Sequence, residues 1–94
     1  MTIRVRPCES LADVAAIEGS MPTGHSAYHA RRWRRSAEGA VYLLAWCDGL
    51  AVGHVLVTRE SKYELVRARL GRFPEVNALG VAPAYRRRGV ARAL

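Results

Sequence analysis

Lysine is almost missing from this chain of 94 residues: Lys62 is the only one among fifteen basic side chains, so guanidinium groups carry nearly all of the positive charge. Acidic residues are also few, eight in all, which leaves a formal net charge of +7. A field of that sign draws anions, whether nucleic acid or small polyanions. Cysteine is scarce. Cys8 and Cys47 form neither a C-x-x-C pair nor a disulfide framework, so reduced thiols in a cytoplasmic protein are expected. No apolar run approaches the ~18 residues that cross a bilayer, and the N-terminal residues 1–6 alternate apolar and polar side chains where a signal peptide would have an apolar core. A membrane partner is therefore not expected. A hydrophobic share of 50% excludes a disordered chain, and the length suits one small domain.

What is present reads as alternating elements without linker, repeat or low-complexity tract. Ile3 and Val5 alternate with Arg4 and Arg6 in a first strand that Pro7 closes. Ser10 is followed by Asp13 at the position of a capping-box acid, and Leu11, Val14, Ala15 and Ile17 predict an amphipathic helix ending near Gly19. Residues 21–24 form a turn. A second, strongly basic helix is predicted over about 26–36, with Trp33 facing the core among Arg31, Arg32, Arg34 and Arg35. Val41–Cys47 and Ala51–Val57 flank Asp48-Gly49, a strong hairpin signal. Residues 59–73 have a helical period only over 63–70, and a connection of variable structure is expected. Glu75–Val81 reads as the strand that leads into the last segment.

That segment, residues 81–94, carries the most information. Pro83 suits the exit from a strand, and Gly89 permits a backbone conformation or a close ligand approach that a side chain forbids. Val90 and Leu94 begin an apolar stripe at i, i+4 in a helix expected to start at about Arg87. A strand-to-helix turn aims several backbone N–H groups at one spot, and Arg86, Arg87 and Arg88 strengthen its field. The residues read as a phosphate-binding turn.

Arg86-x-x-Gly89-x-Ala91 resembles the (Gln/Arg)-x-x-Gly-x-(Gly/Ala) acetyl-CoA signature of the GNAT superfamily of N-acetyltransferases. Leu79-Gly80-Val81 before it, Pro83 and Tyr85 at the strand exit, and Ala93-Leu94 after it fit the same setting. The resemblance covers essentially the whole chain in element order, with specific identities in its last twenty residues. It implies an α/β fold whose mixed, mostly antiparallel sheet is flanked by helices, and a single domain over 1–94 that is C-terminally truncated, since a fifth strand would follow. It further implies that CoA pyrophosphate rests on the turn and that the pantetheine arm pairs with the preceding strand. The expected acetyl-CoA contacts are thus Leu79, Gly80, Val81, Arg86, Arg87, Arg88, Gly89, Val90, Ala91 and Arg92. Val81 would offer an N–H to the thioester oxygen, and Glu75 stands where some family members keep a general base. The implied partners are acetyl-CoA and an amine acceptor, with no metal, and a homodimer would cover a half-covered sheet. The expectation for the chain by itself is inactivity.

Other residues have plainer readings. Cys8, just before a helix start, could carry a lowered pKa, but a packed thiol is the simpler expectation. His25 and His29, at i, i+4, lack a further acidic or thiol ligand and make a poor zinc site. His54 sits among apolar strand neighbours and is expected to be a satisfied sheet histidine. Asn77 could orient a water or satisfy an edge backbone group, and Arg67, Arg69 and Arg72 form a basic loop. Two rival functions remain: a noncatalytic basic module that binds nucleic acid through residues 31–35, and an interaction fragment that folds with a partner.

Overall fold

A computed structural model describes residues 2–24, 27–58, 68 and 75–94 of the chain. His25, Arg67, Arg69, Arg72 and the helical period over 63–70 lie outside those residues. Four antiparallel strands form one sheet in the order of the chain: β1 (Ile3–Pro7), β2 (Val41–Cys47), β3 (Leu50–Thr58) and β4 (Glu75–Val81). Two helices, α1 (Leu11–Ser20) and α2 (Tyr28–Arg34), lie between β1 and β2, and a short α3 (Val90–Ala93) follows β4. Among the described residues the sheet is wholly antiparallel.

The first cap forms as its residues predict, with one change in the partner of the acid. Ser10 Oγ accepts the Asp13 N–H at 3.2 Å. The Asp13 carboxylate reaches one residue beyond the capping-box target, accepting the Glu9 N–H at 3.0 Å, because both terminal nitrogens of Arg6 hold it at 2.6 and 2.9 Å. That bidentate pair joins β1 to the start of α1. It also holds the Asp13 carboxyl below the ordinary carboxylate range. Cys8 and Cys47 are buried, and burial pushes both thiols up, so they are packed thiols and not activated ones.

The basic helix is shorter than its composition suggests. Ala27 precedes α2 in a left-handed conformation, and the chain tightens into a 3₁₀ turn at Arg35–Glu38 before Gly39 reverses it at φ 91°. Trp33 packs against the core, Arg31 and Arg34 face solvent, and Arg35 pairs with Glu38 at 2.9 Å on an exposed surface. The hairpin closes at Asp48 and Gly49, both left-handed at φ 51° and 81°, as a type I′ turn requires.

The two faces of the sheet carry separate cores. Val14 and Ile17 of α1 pack on Tyr42, Leu44, Ala51 and Leu56 on one face, while Val90 of α3 packs on Ala45, Val52 and Ala82 on the other. Val90 Cγ1 lies 2.8 Å from where a Cβ on Gly53 would stand, so the bare strand backbone is what lets α3 seat.

β4 carries an irregularity. Asn77 pairs with Leu56 and Gly80 with His54, so Ala78 and Leu79 together stand opposite Val55. This is a β-bulge, with Ala78 in the left-handed region at φ 55°. The bulge puts Gly80 on the α2 face, above His54. A Cβ there would lie 2.6 Å from His54 Nε2.

His54 is 4% exposed and sits in a ring cluster, with centroids 4.9 Å from His29, 5.7 Å from Tyr42 and 6.1 Å from Tyr28. His29 is fully engaged: the Met21 carbonyl accepts from Nε2 at 2.9 Å, which leaves Nδ1 to accept the Tyr42 hydroxyl at 2.7 Å. His54 differs from the expected satisfied histidine, because its buried Nδ1 has no partner among the described residues. Burial, with smaller contributions from His29 and Arg32, pushes its pKa down to about 4.

Two outcomes follow from these buried groups. Asp13→Ala removes a charge-assisted pair and part of a cap, and should cost about 2 kcal/mol in denaturant unfolding, the half-exposed Arg6 keeping the loss below that of a fully buried pair; an unchanged midpoint would show the pair to be ornamental. The His54 contribution has the opposite partner logic. The unfolded imidazole, near 6.5, takes its proton before the folded one, near 4, so stability should be full above about pH 6.5 and fall as pH drops toward 4. The melting temperature of His54→Gln should lose that slope, whereas the Asp13 contribution is lost only at lower pH. Identical pH profiles for the two proteins between pH 4 and 6.5 would rule out His54 as the group responsible.

Candidate functional site

The last residues of β4 and the turn after it enclose an open cleft. Ala82 donates its N–H to Val52 O at 2.8 Å, the Tyr85 N–H returns to Ala82 O at 2.8 Å, and Pro83–Tyr85 makes a single 3₁₀ turn. Arg87 and Gly89 then both adopt left-handed conformations, at φ 63° and 83°. No right-handed helix continues through such residues, so α3 begins at Val90 and not at Arg87 as the sequence suggests. The turn is consequently longer than expected.

The cleft has a volume of about 440 Å³ and is lined by Val81, Tyr85 and the stretch 86–92 apart from Arg88. That size falls within the range of small-molecule sites, ~300–1,000 Å³. Arg86 folds back, its Nε donating to Val81 O at 3.3 Å, while Arg87 and Arg92 are exposed. Arg88 turns away over the Tyr85 ring, 5.6 Å from its centroid. A Cβ added at Gly89 would meet no atom within 4 Å, so its surroundings are open and only its backbone angle asks for glycine. The amides of the first turn of α3 have no carbonyl partner within the helix. Four arginines and no acidic side chain occur in residues 76–94, so this segment carries a net positive charge.

β4 is the edge strand among the described residues. Because Ala82 bonds inward to Val52, antiparallel alternation turns the Val81 N–H outward, to the free edge. The Val81 carbonyl, which shares that direction, is the one Arg86 caps.

The sequence-predicted residues divide into three places. Val81, Arg86, Arg87, Gly89, Val90, Ala91 and Arg92 come together at the cleft. Leu79 and Gly80 precede it: Leu79 is 51% exposed and Gly80 is packed against His54. Glu75 stands at the other end of β4, six residues before Val81, or about 20 Å along an extended strand. There its carbonyl accepts from Thr58 Oγ1 at 3.3 Å and from Asn77 Nδ2 at 3.4 Å. Asn77 also donates to Thr58 Oγ1 at 3.2 Å, so it serves the strand end.

Two features were not read from the sequence. Tyr85 lines the cleft, and its place between Pro83 and the arginines was the available signal. The cluster of Tyr28, His29, Arg32, Tyr42 and His54 draws on three elements, and no local spacing announces it. No described helix is long and apolar enough to cross a membrane.

Comparison with known proteins places the chain in a family. The model of the acetyltransferase (GNAT) family matches residues 8–94. No curated protein and no solved structure matches the chain. With a family model covering all but its first residues, and with an antiparallel sheet leading into an arginine-rich turn, the chain belongs to the acetyltransferase (GNAT) family.

Proposed function

We propose that this domain transfers an acetyl group from acetyl-CoA to an amine. The observation that carries the reading is the cleft at residues 85–92, where a left-handed Arg87 and Gly89 shape a turn lined by Arg86, Arg87 and Arg92. In this reading the CoA pyrophosphate lies on the amides of the turn, with Arg87 and Arg92 supplying field, and the pantetheine arm runs along the outer edge of β4. Leu79, Gly80 and Val81 line its course, and Arg88 acts at longer range from its place over Tyr85.

The chemistry asks for three things: a fixed thioester, a deprotonated amine and a donor at the carbonyl oxygen. The amine nitrogen attacks the thioester carbon, the C–N bond forms, the C–S bond breaks, and the ammonium proton passes to water or a carboxylate while the thiolate takes one from solvent. The outward N–H of Val81 supports a role in steadying the developing oxyanion. Glu75 stands far along β4 from the cleft, which favours a water-mediated base over direct proton removal by that carboxylate. Trp33 packs against the core, partly buried, and Arg35 pairs with Glu38, which disfavours the nucleic-acid alternative with its need for a free stacking surface.

Calorimetric titration with CoA tests the turn. Gly89→Asp places a negative side chain in the open space beside a left-handed backbone and should weaken binding by at least about tenfold, whereas Arg87→Ala should cost only about 1 kcal/mol, as for an exposed ion contact. Equal affinity for Gly89→Asp would remove the turn from the site, and complete loss in Arg87→Ala would make that side chain the main ligand.

We also propose that the 94-residue chain turns acetyl-CoA over poorly by itself. β4 has a neighbour on one side only among the described residues, so a thioester would be held by the turn and the β4 edge along one wall and less firmly fixed at its acyl end. Positioning can supply roughly 7–11 kcal/mol of such a barrier. Thiol release from acetyl-CoA and a simple amine should therefore stay near the background rate; rapid release that Gly89→Asp abolishes would contradict this.

A further inference from the structure

Two of the buried hydrogen-bonding atoms that lack a partner, His54 Nδ1 and Arg32 Nε, belong to side chains that touch the same ring. The Arg32 Cζ lies 3.7 Å from the Tyr28 centroid, and the His54 ring meets Tyr28 edge-on at 6.1 Å. Buried polar groups are nearly always paired, and two unpaired ones on side chains that share the Tyr28 ring point to a missing ligand. The third such atom, Trp46 Nε1, belongs to another part of the molecule, on β2, where Arg6 lies over its ring.

Arg32 sets the sign of that ligand. Its guanidinium rests on Tyr28 and, among the described residues, makes one long bond, from Nη1 to the Tyr28 carbonyl at 3.4 Å. Among the described residues no carboxylate forms an ion pair with it. Glu18, on the neighbouring helix, accepts the His29 N–H at 3.0 Å. The groups facing His54 are Tyr28, His29 and Arg32 of α2 and Tyr42 of β2, none of them anionic at neutral pH, with Gly80 of β4 above. The Arg32 charge helps keep His54 neutral. The same field repels an ammonium group and favours a carboxylate, which a guanidinium fork and a neutral imidazole N–H can hold together.

We propose that Arg32 of α2 and His54 of β3 bind the carboxylate of the acceptor, so that the acceptor is an amine that also carries a carboxylate, such as an amino acid. This rests on the N-acetyltransferase reading of the cleft. His54 packs against Gly80, and Val81, the next residue, lines that cleft. An amine one or two carbons from a carboxylate held by His54 is thereby kept close to the edge of β4 where the thioester would lie. The carboxylate takes no part in bond making; it fixes the amine.

The test uses the purified chain and nuclear magnetic resonance. The Arg32 Nε–H signal, identified by its loss in Arg32→Lys, is followed while the common L-amino acids and, separately, their C-terminal amides are added, with and without CoA. At least one acid should shift that signal saturably and raise the His54 pKa by about one unit, its amide should do neither, and Arg32→Gln should weaken the acid about tenfold or more. Arg32→Lys, which keeps the charge and most of the stem, checks that any loss is not a failure to fold. Amides acting as well as acids, or no acid shifting the signal at ~10 mM, would overturn the proposal. CoA affinity, measured on the same samples, reports on the cleft independently, so a failure there is separable from a failure of Arg32 and His54 to bind the carboxylate.

Discussion

The pairing of β4 with β3, offset by one extra residue at the Ala78–Leu79 bulge, is the constraint on which the site depends. Side chains alternate along a strand, so a shift of one residue exchanges the two faces. Asn77 and Gly80 are three apart, yet both pair with residues of one β3 face, Leu56 and His54, and the bulge supplies the missing step. Without it, Leu79 would take the place over His54, where a Cβ at Gly80 already comes within 2.6 Å of the imidazole. The same offset fixes which amides of the strand end look outward. Ala82 bonds to Val52, and Val81 is left facing the free edge. One irregular residue thus decides both what packs under the strand and what it offers to a ligand.

Parts of this arrangement are legible in the sequence because they are local. Ser10 caps α1, Asp48-Gly49 closes the hairpin, and β4 runs from Glu75 to Val81, each where its own residues place it. The turn at 86–91 announces itself through a glycine, three arginines and a strand exit at Pro83. What could not be read is set by partners distant in the chain. Ala78 in a left-handed conformation has no sequence signature, since alanine rarely adopts it. Arg87 does the same, which is why α3 starts three residues later than helix propensity suggests. Asp13 leaves its capping-box target because Arg6, on another element, binds it more strongly. The polarity of His54 is likewise invisible locally: its neighbours in sequence are apolar, while its neighbours in space are Tyr28, His29, Arg32 and Tyr42.

Charge and geometry divide the work differently at the two ends of the site. At the turn the arginines are exposed, so each contributes little by itself and salt screens it within roughly 8–10 Å. Recognition there, in the proposed reading, falls to fixed amides whose direction is set by Arg87 and Gly89. Beside α2 the situation reverses. Arg32 Nε and His54 Nδ1 are removed from water, screening is weak, and one charge changes the state of its neighbour.

The open edge of β4 then joins the two. An edge strand with unpaired amides and exposed Val76 and Leu79, at 60% and 51%, is a liability for a domain this small, since it invites association with any extended chain. It is also, beside the cleft, a place where a linear ligand with its own amides can pair with main chain. A strand already paired on both sides would gain burial and lose that access. The exposed apolar side chains and the free edge are therefore consistent with a surface kept for binding, with α3 on one face, the α2 cluster on the other and the outward N–H of Val81 between them.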